Sequence, residues 1–215
     1  MNPFEQITPR AEELMINEGF LKELSKKIKE QIKNKRIIII QGDYGTGKSL
    51  YLNRLYDRLN TKKDLIPFNE MITNVLVNKV PVKNKSLFID DFDLIKGLSD
   101  DGVFDLAESM INLIKQEMII VIACRKESIK RLFYINPLIQ SKSQKIRVPR
   151  LNYTQATELI LKRLNETRRK PTDDLDPFTK QEIKIVLQKA DGNPRLLMLL
   201  LKPLYEQRMN LKDLT

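Results

Sequence analysis

The residues best equipped for chemistry stand together at positions 42–50, Gly42-Asp43-Tyr44-Gly45-Thr46-Gly47-Lys48-Ser49-Leu50, with the spacing G-x-x-x-x-G-K-S. Glycines at 42, 45 and 47 let backbone N–H groups curl around an anion without side chains in the way. Lys48 carries an ammonium group that can reach the outer oxygens of a polyphosphate, and Ser49 a hydroxyl suited to Mg²⁺. A helix beginning there would add the positive end of its dipole. These are the parts of a nucleoside-triphosphate cradle.

Three further groups bear on the same chemistry. Asp90 and Asp91 follow an apolar run that begins at Ser86. Asp90 can hold Mg²⁺, directly or through water, alongside Ser49, and Asp91 stands where a glutamate usually polarises the attacking water. Aspartate is one methylene shorter, so slow hydrolysis and a long-lived ATP-loaded state are expected. Arg125 follows the apolar run 118–124 and is either a charge sensor for a γ-phosphate or a surface arginine in a loop. Gly192-Asn193-Pro194-Arg195 could set Arg195 against phosphates and Pro194 against a base, or could be an ordinary helix cap with a solvent-facing arginine.

The elements that must position these groups alternate between strand and helix. Four consecutive isoleucines, Ile37 to Ile40, read as a central parallel strand buried on both faces. It leads through the glycine loop into a helix running to about Asn60. Before it, a helix over about 18–35 places Leu21, Leu24, Ile28 and Ile32 on one face and Lys22, Lys26, Lys27, Lys29 and Lys33 away from it. An edge strand at 65–68 tolerates Pro67, a helix covers 70–78, and strands are expected at 86–91, 118–124 and 145–148. Between them, a helix over 103–116 carries Phe104, Ala107, Met110, Ile111 and Ile114, and another starts near Glu127. The pattern predicts a three-layer α/β core with a parallel sheet.

Beyond Pro149 the apolar strands stop. Asn152 with Gln155, and Thr179 with Glu182, have the spacing of capping boxes. Gly192 is expected to end one helix, Asn193 and Pro194 to start the next, and Pro203 to kink or end that one. The predicted organisation is a core at 1–149, including an extended N-terminal linker at 2–10, and a small helical lid at 150–215.

Composition narrows the chemistry. With no histidine and a single cysteine, Cys124, the chain has no His triad, His metal site, internal disulfide or cysteine zinc site. Carboxylates, Lys, Arg and Mg²⁺ are the remaining tools, and a reducing cytoplasm is the expected location. No apolar run is long enough for a membrane span, and Met-Asn-Pro-Phe-Glu is not a signal sequence. An excess of 38 Lys+Arg over 28 Asp+Glu, net +10, favours polyanionic partners such as DNA, although it also serves solubility.

The order of Asn2-Pro3-Phe4, the loop at 42–49, Ile89-Asp90-Asp91 and Gly192-Asn193-Pro194-Arg195 resembles an AAA+ ATPase of the initiator type, the group of origin-recognition, helicase-loader and transposition-associated ATPases. The resemblance implies a P-loop ATPase core with a C-terminal helical lid, and ATP and Mg²⁺ as cofactors. It implies that Ile7, Thr8, Pro9 and Arg10 lie beside adenine, that Asp90 and Asp91 fill the Walker B positions, and that Arg195 is the lid arginine sensing the γ-phosphate. Several positions depart from the family pattern. Gly19-Phe20 replaces Gly-Arg, and the first-sensor position falls at Cys124 or Arg125, an arginine there being more typical of the signal-transduction (STAND) branch. The trans-acting arginine coincides with Lys142, for which Arg147 or Arg150 could substitute. A winged-helix module after the lid, and origin recognition through one, are not expected.

The expected function is therefore an ATP-controlled switch that forms homo-oligomers on DNA, in replication initiation, helicase loading or a mobile-element process. Contacts would be mainly to the phosphate backbone, through Lys126, Lys130, Arg131, Lys142 and Lys145, or Arg168, Arg169 and Lys170. The alternative is a STAND-like switch with a protein partner and no DNA; a third reading is nucleotide retention without turnover.

Overall fold

The computed structural model of the chain describes residues 2–6, 18–31, 36–58, 63–76 and 86–212. The expected adenine contacts Ile7, Thr8, Pro9 and Arg10 lie outside these residues, as do Ile32, Lys33, Asn60 and Asn78; the side chains of Lys27, Ile28 and Lys29 are likewise not described. The chain forms two compact units, one of residues 19–44 and 48–148, the other of residues 1–18, 45–47 and 149–215.

The first unit is built on a five-stranded sheet. Its strands are β1 (Ile37–Gln41), β2 (Lys63–Pro67), β3 (Ser86–Asp90), β4 (Ile119–Cys124) and β5 (Ser143–Arg147), in the order β2-β3-β4-β1-β5, every pairing parallel. Its helices are α1 (Glu18–Gln31), α2 (Lys48–Arg58), α3 (Phe68–Leu76), α4 (Asp100–Lys115), α5 (Lys126–Ile135) and the short α6 (Pro137–Ser141), with a 3₁₀ turn at Phe92–Gly97. Alternation along β1 divides the core. Ile37 and Ile39 pack with Val103 and Leu106 of α4 and Ile129 and Leu132 of α5. Ile38 and Ile40 pack with Leu21 and Leu24 of α1 and Tyr51, Leu52 and Leu55 of α2. A strand covered by helices on both faces needs apolar residues at every position, hence the unbroken isoleucine run. Each of the isoleucines Ile37 to Ile40 is no more than 1% exposed, worth about 1.5–3 kcal/mol apiece as an upper estimate.

The strand expectations hold within a residue or two. Pro67 closes β2, which among the described residues pairs with β3 alone, and an edge strand tolerates a proline. One helix expectation is corrected. Phe104, assigned to the core face of α4, is 51% exposed, and the buried stripe is Val103, Leu106, Ala107, Met110 and Ile111. Those positions follow the i, i+3, i+4, i+7, i+8 pattern, and Phe104 falls beside it.

The second unit contains α7 (Tyr153–Thr167), α8 (Lys180–Lys189) and α9 (Pro194–Lys212). Both expected capping boxes are present, Asn152 with Gln155 and Thr179 with Glu182. The helices share a core of Ala156, Leu159, Ile160, Ile183, Leu197, Met198 and Leu201. Phe4 belongs to that core at 0% exposure, its ring edge-on to Phe178 and Tyr205. Among the described residues, then, the start of the expected linker is a docked turn: Phe4 N–H donates to Asn2 Oδ1 at 2.9 Å, and Asn2 Nδ2 donates to Glu206 Oε1 at 2.8 Å. A lone aromatic in a short polar stretch shows no periodicity, so its burial had no sequence signal. Pro203 does not end α9, which continues to Lys212; the tertiary packing of Leu197, Met198 and Leu201 holds the helix on its near side.

Candidate functional site

The site begins where β1 ends. Leaving the sheet at Gln41, the chain passes Gly42, whose N–H donates to the Cys124 carbonyl at 3.3 Å, and turns through Gly45 (φ 80°) and Gly47 (φ 89°) into α2. Those two positive φ values are where glycine is required, because a Cβ would clash in that region. Thr46 between them is buried. Lys48 and Ser49 open α2, with Leu50 following. Lys48 Nζ folds back and donates to the Asp43 carbonyl at 3.1 Å. Asp43 and Tyr44 are exposed, Tyr44 by 65%.

The second carboxylate motif comes to the same place. Ser49 Oγ donates to Asp90 Oδ1 at 3.0 Å, and Asp91 N–H donates to the same oxygen at 2.9 Å. Burial raises the Asp90 carboxyl above its ordinary 3.8, against those two hydrogen bonds, which lower it. A partly desolvated carboxylate beside a hydroxyl is an all-oxygen donor set suited to Mg²⁺. Among the described residues no three His, Cys, Asp or Glu side chains form a metal cage.

Asp91 leaves β3 in a left-handed conformation, φ 51° and ψ 29°, with an exposed carboxylate. Aspartate is among the few residues that visit this region. Its carbonyl accepts from Leu94 N–H at 3.0 Å, starting the 3₁₀ turn.

β4 lies between β1 and β3, as expected for a strand joining the two motifs. Cys124 at its end is fully buried, and burial pushes its thiol up to about 12. Arg125, next in the chain, places Nε 3.3 Å from Asp93 Oδ2 as a charge contact without hydrogen-bond geometry. Sequence reasoning missed Asp93; its only signal was its place two residues beyond the Asp pair.

In the second unit, Gly192 (φ 62°) follows α8, and a Cβ there would fall 2.8 Å from the Leu151 carbonyl. Asn193 Oδ1 accepts from the N–H groups of Arg195 and Leu196 at 3.0 and 3.2 Å, so Gly192-Asn193-Pro194-Arg195 is a helix cap with Pro194 buried at its first position. Within that unit a Cβ on Gly45 would meet Arg195 Cβ at 2.5 Å.

Several expected basic surface residues have other partners. Arg131 binds Asp100 and the Leu98 carbonyl, and Lys145 Nζ sits 4.7 Å over the Phe133 ring. Arg168 staples its own loop through Thr172, Asp174 and the Asp176 carbonyl. Lys126, Lys130, Arg169 and Lys170 are exposed. Of the trans-acting candidates, Lys142 and Arg147 are exposed, and Arg150 pairs with Asp191 at 2.9 Å.

No protein-family profile matches the chain. By sequence it is similar to an uncharacterized HTH-type transcriptional regulator of Methanocaldococcus jannaschii, 25% identical over 169 residues that cover 74% of this chain and 41% of the relative. It is also similar to an uncharacterized protein of Saccharomyces cerevisiae, 26% identical over 154 residues that cover 64% of this chain and 34% of the relative. The chain thus spans less than half the length of either. Among solved structures it is similar to a DNA replication initiation factor (TM-score 0.58, 16% identity, 89% of this chain and 64% of that one). It is similar too to the Aeropyrum pernix ORC2 protein in its ADP form (0.56, 12%, 90% and 64%). A third is Thermotoga maritima RuvB, described as a Holliday junction branch migration motor (0.55, 13%, 96% and 67%). At these identities the likeness is one of fold.

Proposed function

We propose that this chain, whose fold is that of the initiator-type AAA+ ATPases, binds ATP with Mg²⁺, hydrolyses it slowly and uses the bound nucleotide to control assembly on DNA. One observation carries the reading. The hydroxyl of Ser49, at the start of the loop helix, and the carboxylate of Asp90, 41 residues later at the end of β3, stand at 3.0 Å beside the glycine loop. A solvated turn and an unrelated strand end have no reason to meet there.

In this reading Gly42 to Gly47 supply amides to the β-phosphate, Lys48 neutralises β/γ oxygens, and Ser49 and Asp90 hold Mg²⁺. The ion, when bound, would stabilise negative charge on the phosphate oxygens. Asp91 orients and deprotonates the attacking water, and its short side chain keeps turnover low. Arg125 at the end of β4 reads the γ-phosphate. Arg195 is assigned the same duty from the lid, on its family position and its place against Gly45. Ile7, Pro9 and Arg10 are assigned to the adenine, and Pro194 to the base.

The DNA role and the processes of replication initiation, helicase loading or mobile-element movement are supported by three facts: the net charge of +10, the replication and branch-migration proteins of like fold, and a relative described as a transcriptional regulator. Arg125 supports a second reading, a STAND-like switch with a protein partner. Titration calorimetry with Mg-ATP tests the common premise. The parent protein should release binding heat and Lys48→Ala should release none; equal heats from both would remove the nucleotide site.

A further inference from the structure

Asp93 performs more hydrogen bonding than its position in a short turn requires. One carboxylate oxygen accepts from Arg125 N–H at 2.7 Å and from Ser128 Oγ at 2.5 Å, and the other lies 3.3 Å from Arg125 Nε. Arg125 is the N-cap residue of α5, yet its own side chain makes no capping bond. Asp93, from a different element, therefore caps α5 in its place and satisfies an N–H that the helix leaves open. The same carboxylate faces the inner nitrogen of the guanidinium, whose atom is buried while the side chain as a whole is 39% exposed.

The grip is placed to matter. Arg125 is the first residue past Cys124, which pairs with Gln41 at the end of β1 and accepts from Gly42 N–H at 3.3 Å. Asp93 lies two residues after Asp91, in the turn that Asp91 opens. One side chain thus ties the turn that Asp91 opens to the arginine that follows β4. An arginine held only at Nε keeps its terminal fork oriented, and a fork reads phosphate oxygens only when oriented.

We propose that Asp93 is a positioning residue that holds Arg125, by main chain and by inner guanidinium nitrogen together, in the orientation from which it distinguishes ATP from ADP. This rests on the nucleotide reading above. Asp93 touches no phosphate itself. It acts through Arg125, and its effect on discrimination should vanish when Arg125 is gone.

The test is a double-mutant cycle on the ratio of ADP to ATP dissociation constants, measured with Mg²⁺ by calorimetry on the full chain. Asp93→Asn keeps an oxygen for the α5 cap and removes the charge facing Nε. It should bind ADP like the parent and lose about fivefold or more of the ATP preference, while Asp93→Asn in an Arg125→Ala background should cost nothing further. Ser128→Ala weakens the cap alone; it should lower thermal stability and leave the ratio unchanged. Arg125→Lys keeps the charge and the main-chain bond but has no Nε to grip, so it should lose as much preference as Arg125→Ala. That variant decides the matter should Asp93→Asn fail to fold. Additive losses in the cycle, an unchanged ratio in Asp93→Asn, or full discrimination in Arg125→Lys would overturn the proposal while leaving nucleotide binding in place. A parent protein that binds neither nucleotide would overturn the underlying reading and this one with it.

Discussion

Asp91 illustrates what a single residue carries here. Its left-handed backbone suits asparagine as well as aspartate, so Asp91→Asn changes the charge with little strain. We expect that variant to keep nucleotide affinity within a few fold and to lose turnover by about 100-fold. Parallel binding and phosphate-release assays check this, and parent-rate hydrolysis would remove Asp91 from the reaction. Cys124 makes the opposite case, a potentially reactive group made inert. It is fully buried with its thiol pushed up to about 12, so the reactive thiolate is scarce at pH 8, even before access is considered. A maleimide should leave the native protein unlabelled at pH 8 and modify one site after denaturation, as mass spectrometry would show. Lys48, Ser49, Asp90 and Asp91 could be singled out as candidates from residue type and spacing, and the structure brings Ser49 to Asp90. Asp93 was not, because an acceptor that serves another element's backbone has no local pattern.

At the scale of elements, the caps were the clearest written feature. Asn152 with Gln155 and Thr179 with Glu182 bond reciprocally, because both partners lie within one turn of chain. Glu182 makes the cost measurable. The Thr179 N–H, and then the Arg208 guanidinium, hold its carboxyl below the usual 4.5. A lowered folded-state value means stability that is present above about pH 4.5 and lost as pH falls through the folded value. Glu182→Gln should therefore destabilise the protein at neutral pH and flatten the fall in denaturation midpoint between about pH 5 and pH 3. A parallel fall in parent and variant would show that the cap carries no pH dependence. Phe4 and Phe104 mark the limit of reading elements alone. Phe104 was assigned inward from spacing and points outward; Phe4 had no spacing to read and is buried.

For the whole molecule the proposed switch makes a joint prediction. Size measurement with ADP, with ATP, and with ATP plus DNA should show larger assemblies only with ATP. A steep loss of DNA binding as salt rises would mark backbone contact, since each released counterion contributes to the slope. A monomer under all three conditions, with no DNA bound at low salt, would leave the STAND-like reading in its place. Among the described residues no helix is long and apolar enough to cross a membrane.

The amino-acid order by itself determined the alternation of strands and helices, the parallel sheet, the glycine loop and the two capped helices of the second unit. Each depends on neighbours within a few residues: a run of isoleucines, a glycine spacing, a cap and its third residue. Only the tertiary structure decided that Ser49 meets Asp90, that Asp93 grips Arg125, that Arg131, Arg150 and Arg168 have acidic partners and that Phe4 closes a core of helices 150 residues further on. Apart from the local Arg168–Asp174 pair, those contacts join segments far apart in the chain, where the energy comes from shared burial and charge pairing and the primary order leaves no periodic trace.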